Sequence, residues 1–199
     1  VLSSSTSTAD EKASALATQS KAIQISNVIA QSSAAIKSGS GDATLATASK
    51  SVTKALAEKV VDAADANEEI DLTDTATLDT IIEEAATEAG ETEVAAQSSQ
   101  LASITSVSNN SAKDAETIEA LAKVAVVSQG DAVTDIETAV IAGDDLDTVV
   151  ESFSEENLAV AVAAAEAGTI FQTEVADTGT DTGTDTGTDT GTDTGTDTG

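Results

Sequence analysis

A chain of 199 residues carrying a net charge of −28, with no His, Cys, Tyr, Trp, Met or Pro and only two Phe, lacks most of the side chains that do chemistry. All eight bases are lysines, so imidazole and thiolate catalysis, arginine clamps, disulfide frameworks and zinc–thiolate centres are excluded. The charge repels phosphate backbones and anionic lipid, so neither nucleic acid nor a membrane surface is an expected partner, and no apolar run approaches the 18 residues of a transmembrane helix.

The first seven residues, VLSSSTS, predict a flexible lead-in. Thr8-Ala9-Asp10-Glu11 fits a capping box that opens a helix. That helix carries Leu16, Ile23, Ala30 and Ala34 near one stripe, with Ile25, Val28, Ile29 and Ile36 beside it, and ends near Gly39. Asp42 is the expected cap of a second helix bearing Leu45, Ala48, Val52, Leu56, Val60 and Ala63 at spacings of three and four. Ile70-Asp71-Leu72 reads as an extended connector, and Thr73 or Asp74 starts a third helix that Gly90 stops.

A fourth helix is expected through Val94, Leu101, Ile104 and Val107, ended by Asn109-Asn110. Ser111 then caps a fifth with Ile118, Leu121, Ala122 and Ala125, closed by Gly130. Asp131 caps a sixth that runs to Gly143. Asp144 or Asp145 starts a seventh, and Ser154 caps an eighth, with Phe153 stapled onto Leu158 and Gly168 at its end. The six glycines before residue 177 all mark helix ends or links in this reading. The fold class is therefore all-α: an irregular bundle or array of about eight short Ala-rich helices over residues 8–176. Residues 177–199 repeat Asp-Thr-Gly-Thr and have no large apolar side chain, which predicts a disordered, self-repelling linker. Read as a strand, the same tail would present a Thr ladder able to order water or ice.

The core must be thin. Of 79 apolar residues 38 are alanines, leaving 41 Val, Ile, Leu and Phe. Charge is segregated along the chain: net +2 over residues 1–59, −13 over 60–123, and −17 with no base from Val124 onward. Leu78-Asp79-Thr80-Ile81-Ile82-Glu83 echoes Leu146-Asp147-Thr148-Val149-Val150-Glu151, and Ala55-Leu56-Ala57 echoes Ala120-Leu121-Ala122. Either a duplicated unit near 55–90 and 120–155 or shared composition accounts for both.

Few residues nominate chemistry, and no catalytic residue is assigned. Ser51-Val52-Thr53-Lys54 matches the S-x-x-K pattern in which a lysine activates a serine, without the companion motifs. The carboxylate pairs Glu83/Glu84, Glu155/Glu156 and Asp144/Asp145 lack the aromatic floor of a sugar site. Asp144, Asp145 and Asp147 are the candidate calcium ligands, with Asp71 and Asp74 a second cluster, though neither has the EF-hand order. Asn109-Asn110-Ser111 is a glycosylation sequon.

The phrases IDLTDTATLDTIIEEAA (70–86), LAKVAVVSQGDA (121–132), LDTVVESFSEENL (146–158) and the DTGT tail give residues 55–199 a texture that resembles helical segments of very large secreted bacterial proteins, namely adhesins and RTX-type or cadherin-repeat giants. The resemblance implies a place on the cell surface or outside the cell, neighbouring modules of the same long chain as partners, and export by a C-terminal signal. The start at Val1 and the broken final repeat add the expectation that this is one module of a longer protein, with its export signal elsewhere. The expected role is structural, in spacing, display or adhesion. The alternative is an acidic binding module for calcium, other divalent cations or a partner helix.

Overall fold

Helix termini are the most sharply specified part of this chain. In the computed structural model, which describes residues 8–40 and 43–165, Thr8 caps α1 (Ala9–Gly39) with a full capping box: its Oγ1 accepts from the Glu11 amide at 3.2 Å while Glu11 Oε2 receives the Thr8 amide at 2.8 Å. At α1's last residue, Gly39, an added Cβ would lie 2.7 Å from Cγ2 of Val94, which belongs to a helix much later in the chain, so a side chain here would force that contact apart. α2 (Leu45–Asp65) is capped by Thr44, whose hydroxyl receives the Thr47 amide, and not by the expected Asp42.

Three helices then stop by one device. After α2, Asn67 adopts a left-handed φ of 60°, with its amide bonded to Ala64 O and the next amide to Ala63 O. Gly90 (φ 83°) repeats this at the end of α3 (Thr75–Ala89), and Gly143 (φ 72°) repeats it at the end of α7 (Ala132–Ala142). Each is a Schellman turn, in which a left-handed residue lets two amides cap the orphan carbonyls of the last turn.

The middle of the chain departs from the expected breaks. The fourth helix is divided at Gln97 into α4 (Thr92–Ala96) and α5 (Ser98–Asp114). Asn109, Asn110 and Ser111 end nothing: they lie inside α5, and Thr117 caps α6 (Ile118–Val126) instead of Ser111. Gly130 is no stop either. The chain passes through a π turn, Val127–Asp131, straight into α7, and Asp131 stays helical without capping. A glycine makes a left-handed stop only when it takes positive φ, and Gly130 does not. α8 (Asp147–Ser152) follows, and Ser154 caps α9 (Glu155–Ala164), as its sequence predicts. Gly41, Asp42, Gly168, the lead-in and the DTGT tail lie outside the described residues.

Counting α6, the π turn and α7 as one rod, eight helical rods and no strands make up the described residues, and the protein is all-α. α1 is the central element and packs against α2, α5, α6 and α7. α3 lies against both α2 and α5, and α8 and α9 close over α5. The main core joins Val52, Leu56, Leu78, Ile81, Ile82, Leu101, Ile104 and Ile136, with Ala48, Ala55, Ala85 and Ala86 between them. Alanine there lets helices approach closely, which is how a chain with few large side chains fills its interior. Phe153 and Leu158 are buried in that same core.

The two echoing phrases occupy different settings. Leu78 lies in the first turn of the 15-residue α3, whereas Leu146 is the capping position of the six-residue α8.

Candidate functional site

The face that α1 turns inward toward α5 is polar. Ser20, Gln24, Asn27 and Gln31 recur at steps of four, three and four, which puts them on one stripe, and all are buried. The stripe expected from aliphatic spacing is displaced: Ile25 is 41% exposed, while Val28, Ala34 and Ile36 are buried. Facing this stripe, α5 presents Thr105, Ser108 and Asn109, and the π turn presents Ser128.

Direction in this seam is set by its acceptors. Asn109 Nδ2 donates to the Leu72 carbonyl at 2.7 Å, so its Oδ1 is left to accept from Asn27 Nδ2 at 3.1 Å; Asn27 Oδ1 in turn accepts from Gln129 Nε2 at 3.1 Å. One relay of amides thus crosses the bundle from the π turn, through α1 and α5, to the connector after α2. One turn further along, Gln31 Nε2 donates to Ser108 Oγ and to the Ser128 carbonyl, and Gln31 Oε1 accepts from Thr105. Ser106 Oγ donates to the Thr73 carbonyl at 2.6 Å, tying α5 again to the connector. The hydroxyls of Ser32, Ser33, Ser38 and Ser128 are buried with no bonding partner.

At its N-terminal end the seam opens into a cleft of about 480 Å³ between α1, residues 69–73 and the end of α5. Its floor holds a second relay. Gln24 Nε2 donates to Ser20 Oγ at 3.3 Å, and Ser20 Oγ donates to the Ala112 carbonyl at 2.7 Å, one of the orphan acceptors of α5's last turn. Lys21, Glu69, Asp71 and Lys113 stand on the rim, with Lys21 Nζ 2.9 Å from Glu69. Asp71 Oδ1 accepts from both the hydroxyl (2.6 Å) and the amide (2.9 Å) of Thr73. Those two bonds, with smaller contributions from Lys113 and Lys21, hold its carboxyl below the ordinary value of 3.8. A second groove, about 580 Å³, runs between α5, α6 and α9 past Val107, Val124, Leu158 and Val162.

The residues nominated by motif are not brought together. Ser51 Oγ donates to the Thr47 carbonyl, while Lys54 Nζ lies 2.7 Å from Glu88. The Glu88 bond raises the lysine above its usual 10.5, opposite to what a general base requires. No group of three carboxylates that could hold a metal ion exists among the described residues. Asp145 Oδ1 accepts from the Asp147 amide at 3.0 Å, a helix-starting turn, and Asp71 and Asp74 bond Thr73 and Thr77. Of the carboxylate pairs, Glu84 meets Lys59 at 2.9 Å and Glu155/Glu156 fill the first turn of α9. The sequon's Asn109 is a core residue and presents no amide to a glycosyl donor in the folded protein.

No protein-family model, curated protein or solved structure matches this chain. No helix among the described residues is long and apolar enough to cross a membrane. The seam escaped the sequence reading because apolar periodicity is the usual signal sought; the polar period at residues 20, 24, 27 and 31 was present and would have found it.

Proposed function

We propose that the protein is a non-catalytic structural module of a large extracellular or cell-surface bacterial protein, one that keeps neighbouring modules apart and in fixed orientation. The observation that supports this is the seam. It bonds the first helix to residues 74 to 102 positions later through buried and half-buried side chains, so the start of the fold cannot leave without breaking its middle. Neutral amides and hydroxyls whose partners are fixed favour one register over competing helix packings, which suits a spacer more than a catalyst. α1 itself, at about 1.5 Å per residue, is a rod of roughly 45 Å.

Stretching the full chain between two reporter domains tests the reading. A spacer gives one cooperative unfolding step, whereas extension in several weak steps sinks it. The rival role, capture of calcium or a partner helix, is met by thermal melting in calcium with magnesium alongside. A spacer responds to both ions alike and without saturation, because they only screen the −28 charge. A saturable response to calcium alone favours the rival.

A further inference from the structure

The cleft at the end of the seam has an acceptor without a donor. Ser20 Oγ spends its only proton on the Ala112 carbonyl, so it can only accept from Gln24, and the Gln24 amide is thereby fixed with Nε2 toward Ser20. Gln24 Oε1 must then face the other way. The residue is 3% exposed and lines the cleft, and among the described residues its side chain makes no hydrogen bond besides the one to Ser20. Above it the four charged rim residues sum to zero: Lys21 and Lys113 against Glu69 and Asp71. Lys21 is held by Glu69, whereas Lys113 forms no ion pair among the described residues. Leu16, Ile70 and Ala115 provide aliphatic wall between these poles.

We propose that this cleft binds a small zwitterion, an α-amino acid with an aliphatic side chain. Its ammonium donates to Gln24 Oε1 and lies beside the Asp71 carboxylate, its carboxylate meets Lys113 Nζ, and its side chain covers Leu16 and Ile70. An ammonium brings three donors to an acceptor that no described residue serves, and a carboxylate meets the rim lysine that forms no ion pair among them. A simple anion would be repelled by the net −28 of the chain, and a simple cation would leave Lys113 uncompensated; a zwitterion carries no net charge and matches both poles. The cleft volume lies within the usual range of small-molecule sites. The proposal stands independently of the spacer role.

The experiment is a titration of the isotope-labelled full chain with L-leucine, followed by amide chemical shifts. Two probes with half the charge run alongside: 4-methylpentanoate, which lacks the ammonium, and isoamylamine, which lacks the carboxylate. Saturable shifts are expected for L-leucine at Leu16, Gln24, Ile70 and Ala115, with both half-probes at least about tenfold weaker. Lys113→Gln, a surface change that leaves the fold intact, should weaken L-leucine about tenfold, and Gln24→Met should do so as well. No saturation by about 10 mM L-leucine, equal binding of either half-probe, or unchanged affinity in Lys113→Gln would each overturn the assignment.

Discussion

Two interfaces in this protein solve the same problem with opposite chemistry. α2 meets α3 through Ala48, Val52, Ala55, Leu56, Leu78, Ile81, Ile82 and Ala85, all buried, and places its charges outside, where Lys54 pairs with Glu88 and Lys59 with Glu84. α1 meets α5 through amides and hydroxyls, with no charge inside the seam. Burying apolar surface is worth about 25 cal/mol per Å² whatever the register, whereas a buried hydrogen bond nets only about 0.5–1.5 kcal/mol but strands its partner when the register slips. The first interface thus supplies stability and the second supplies uniqueness. A chain with so many alanines needs the second more than most, because small side chains interlock poorly.

The largest effect should come from the apolar interface. Ile82→Ala empties a fully buried site between α2 and α3 and should cost about 2–5 kcal/mol in urea unfolding, with the m-value preserved. A loss below about 1 kcal/mol would mean that this face is not the source of stability.

Next in size is the relay. Asn109→Ala strands the Asn27 amide and the Leu72 carbonyl, at about 1–3 kcal/mol for each group left without a partner. Asn27→Ala in the Asn109→Ala background should then cost much less than it does alone, and the double-mutant cycle should give a coupling of about 0.5–3 kcal/mol. Additive losses would show that the relay is not one unit. Hydrogen exchange sharpens the contrast: the relay variants should lose protection in α1 and α5 before α2 and α3.

Legibility from sequence divides along the same line. Features set by a few adjacent residues could be read: the Thr8–Glu11 box, Asp74 and Ser154 as caps, Gly90 and Gly143 as left-handed stops, and the helical period of α2 and α3. What could not be read depends on residues far apart. Asn109 looks like a helix breaker by propensity, yet its amide is bonded to Leu72 and Asn27, 37 and 82 positions away, and the helix runs through it. Gly130 looked like Gly143 because composition does not reveal φ. The candidate ligands Asp144, Asp145 and Asp147 were close in sequence, but Asp145 serves the start of α8. No local signal shows that an amide such as that of Gln24 will be oriented by a hydroxyl that is itself committed to another helix.

The two glycines give a third, smaller test. Gly130 sits in the π turn beside Ser128 and Gln129 of the seam, with helical φ and open space where a Cβ would be. Gly130→Ala should therefore stabilise by about 0.4–1 kcal/mol through loss of unfolded-state freedom. Gly143→Ala forces an L side chain into φ 72° and should destabilise by about 1 kcal/mol. Equal effects from the two would mean that the π turn is not continuous helix.

The smallest effect separates the interfaces by pH. Lys54 is raised above 10.5 chiefly by its hydrogen bond to Glu88, and Lys59 likewise by Glu84. A group whose folded value is raised contributes stability that is complete below its unfolded value and is lost as pH climbs through the folded one. The α2–α3 rim should therefore weaken only above pH 10.5. The chain suits the measurement, since without Cys, Tyr or His its lysines are the only side chains that titrate in alkali short of unfolding. The seam, built of neutral amides and hydroxyls, has nothing to titrate there. Melting followed by circular dichroism from pH 8 to pH 12 should show a small alkaline decline in Tm that shrinks in Lys54→Gln/Lys59→Gln and persists in Asn27→Ala. Lys54 is about half exposed and Lys59 keeps a quarter of its side chain in solvent, so the shift should be slight and should fade in about 0.5 M salt, where screening shortens the reach of each pair. If the lysine variant keeps the full decline, the rim pairs contribute nothing and α2 is held on α3 by its apolar face alone.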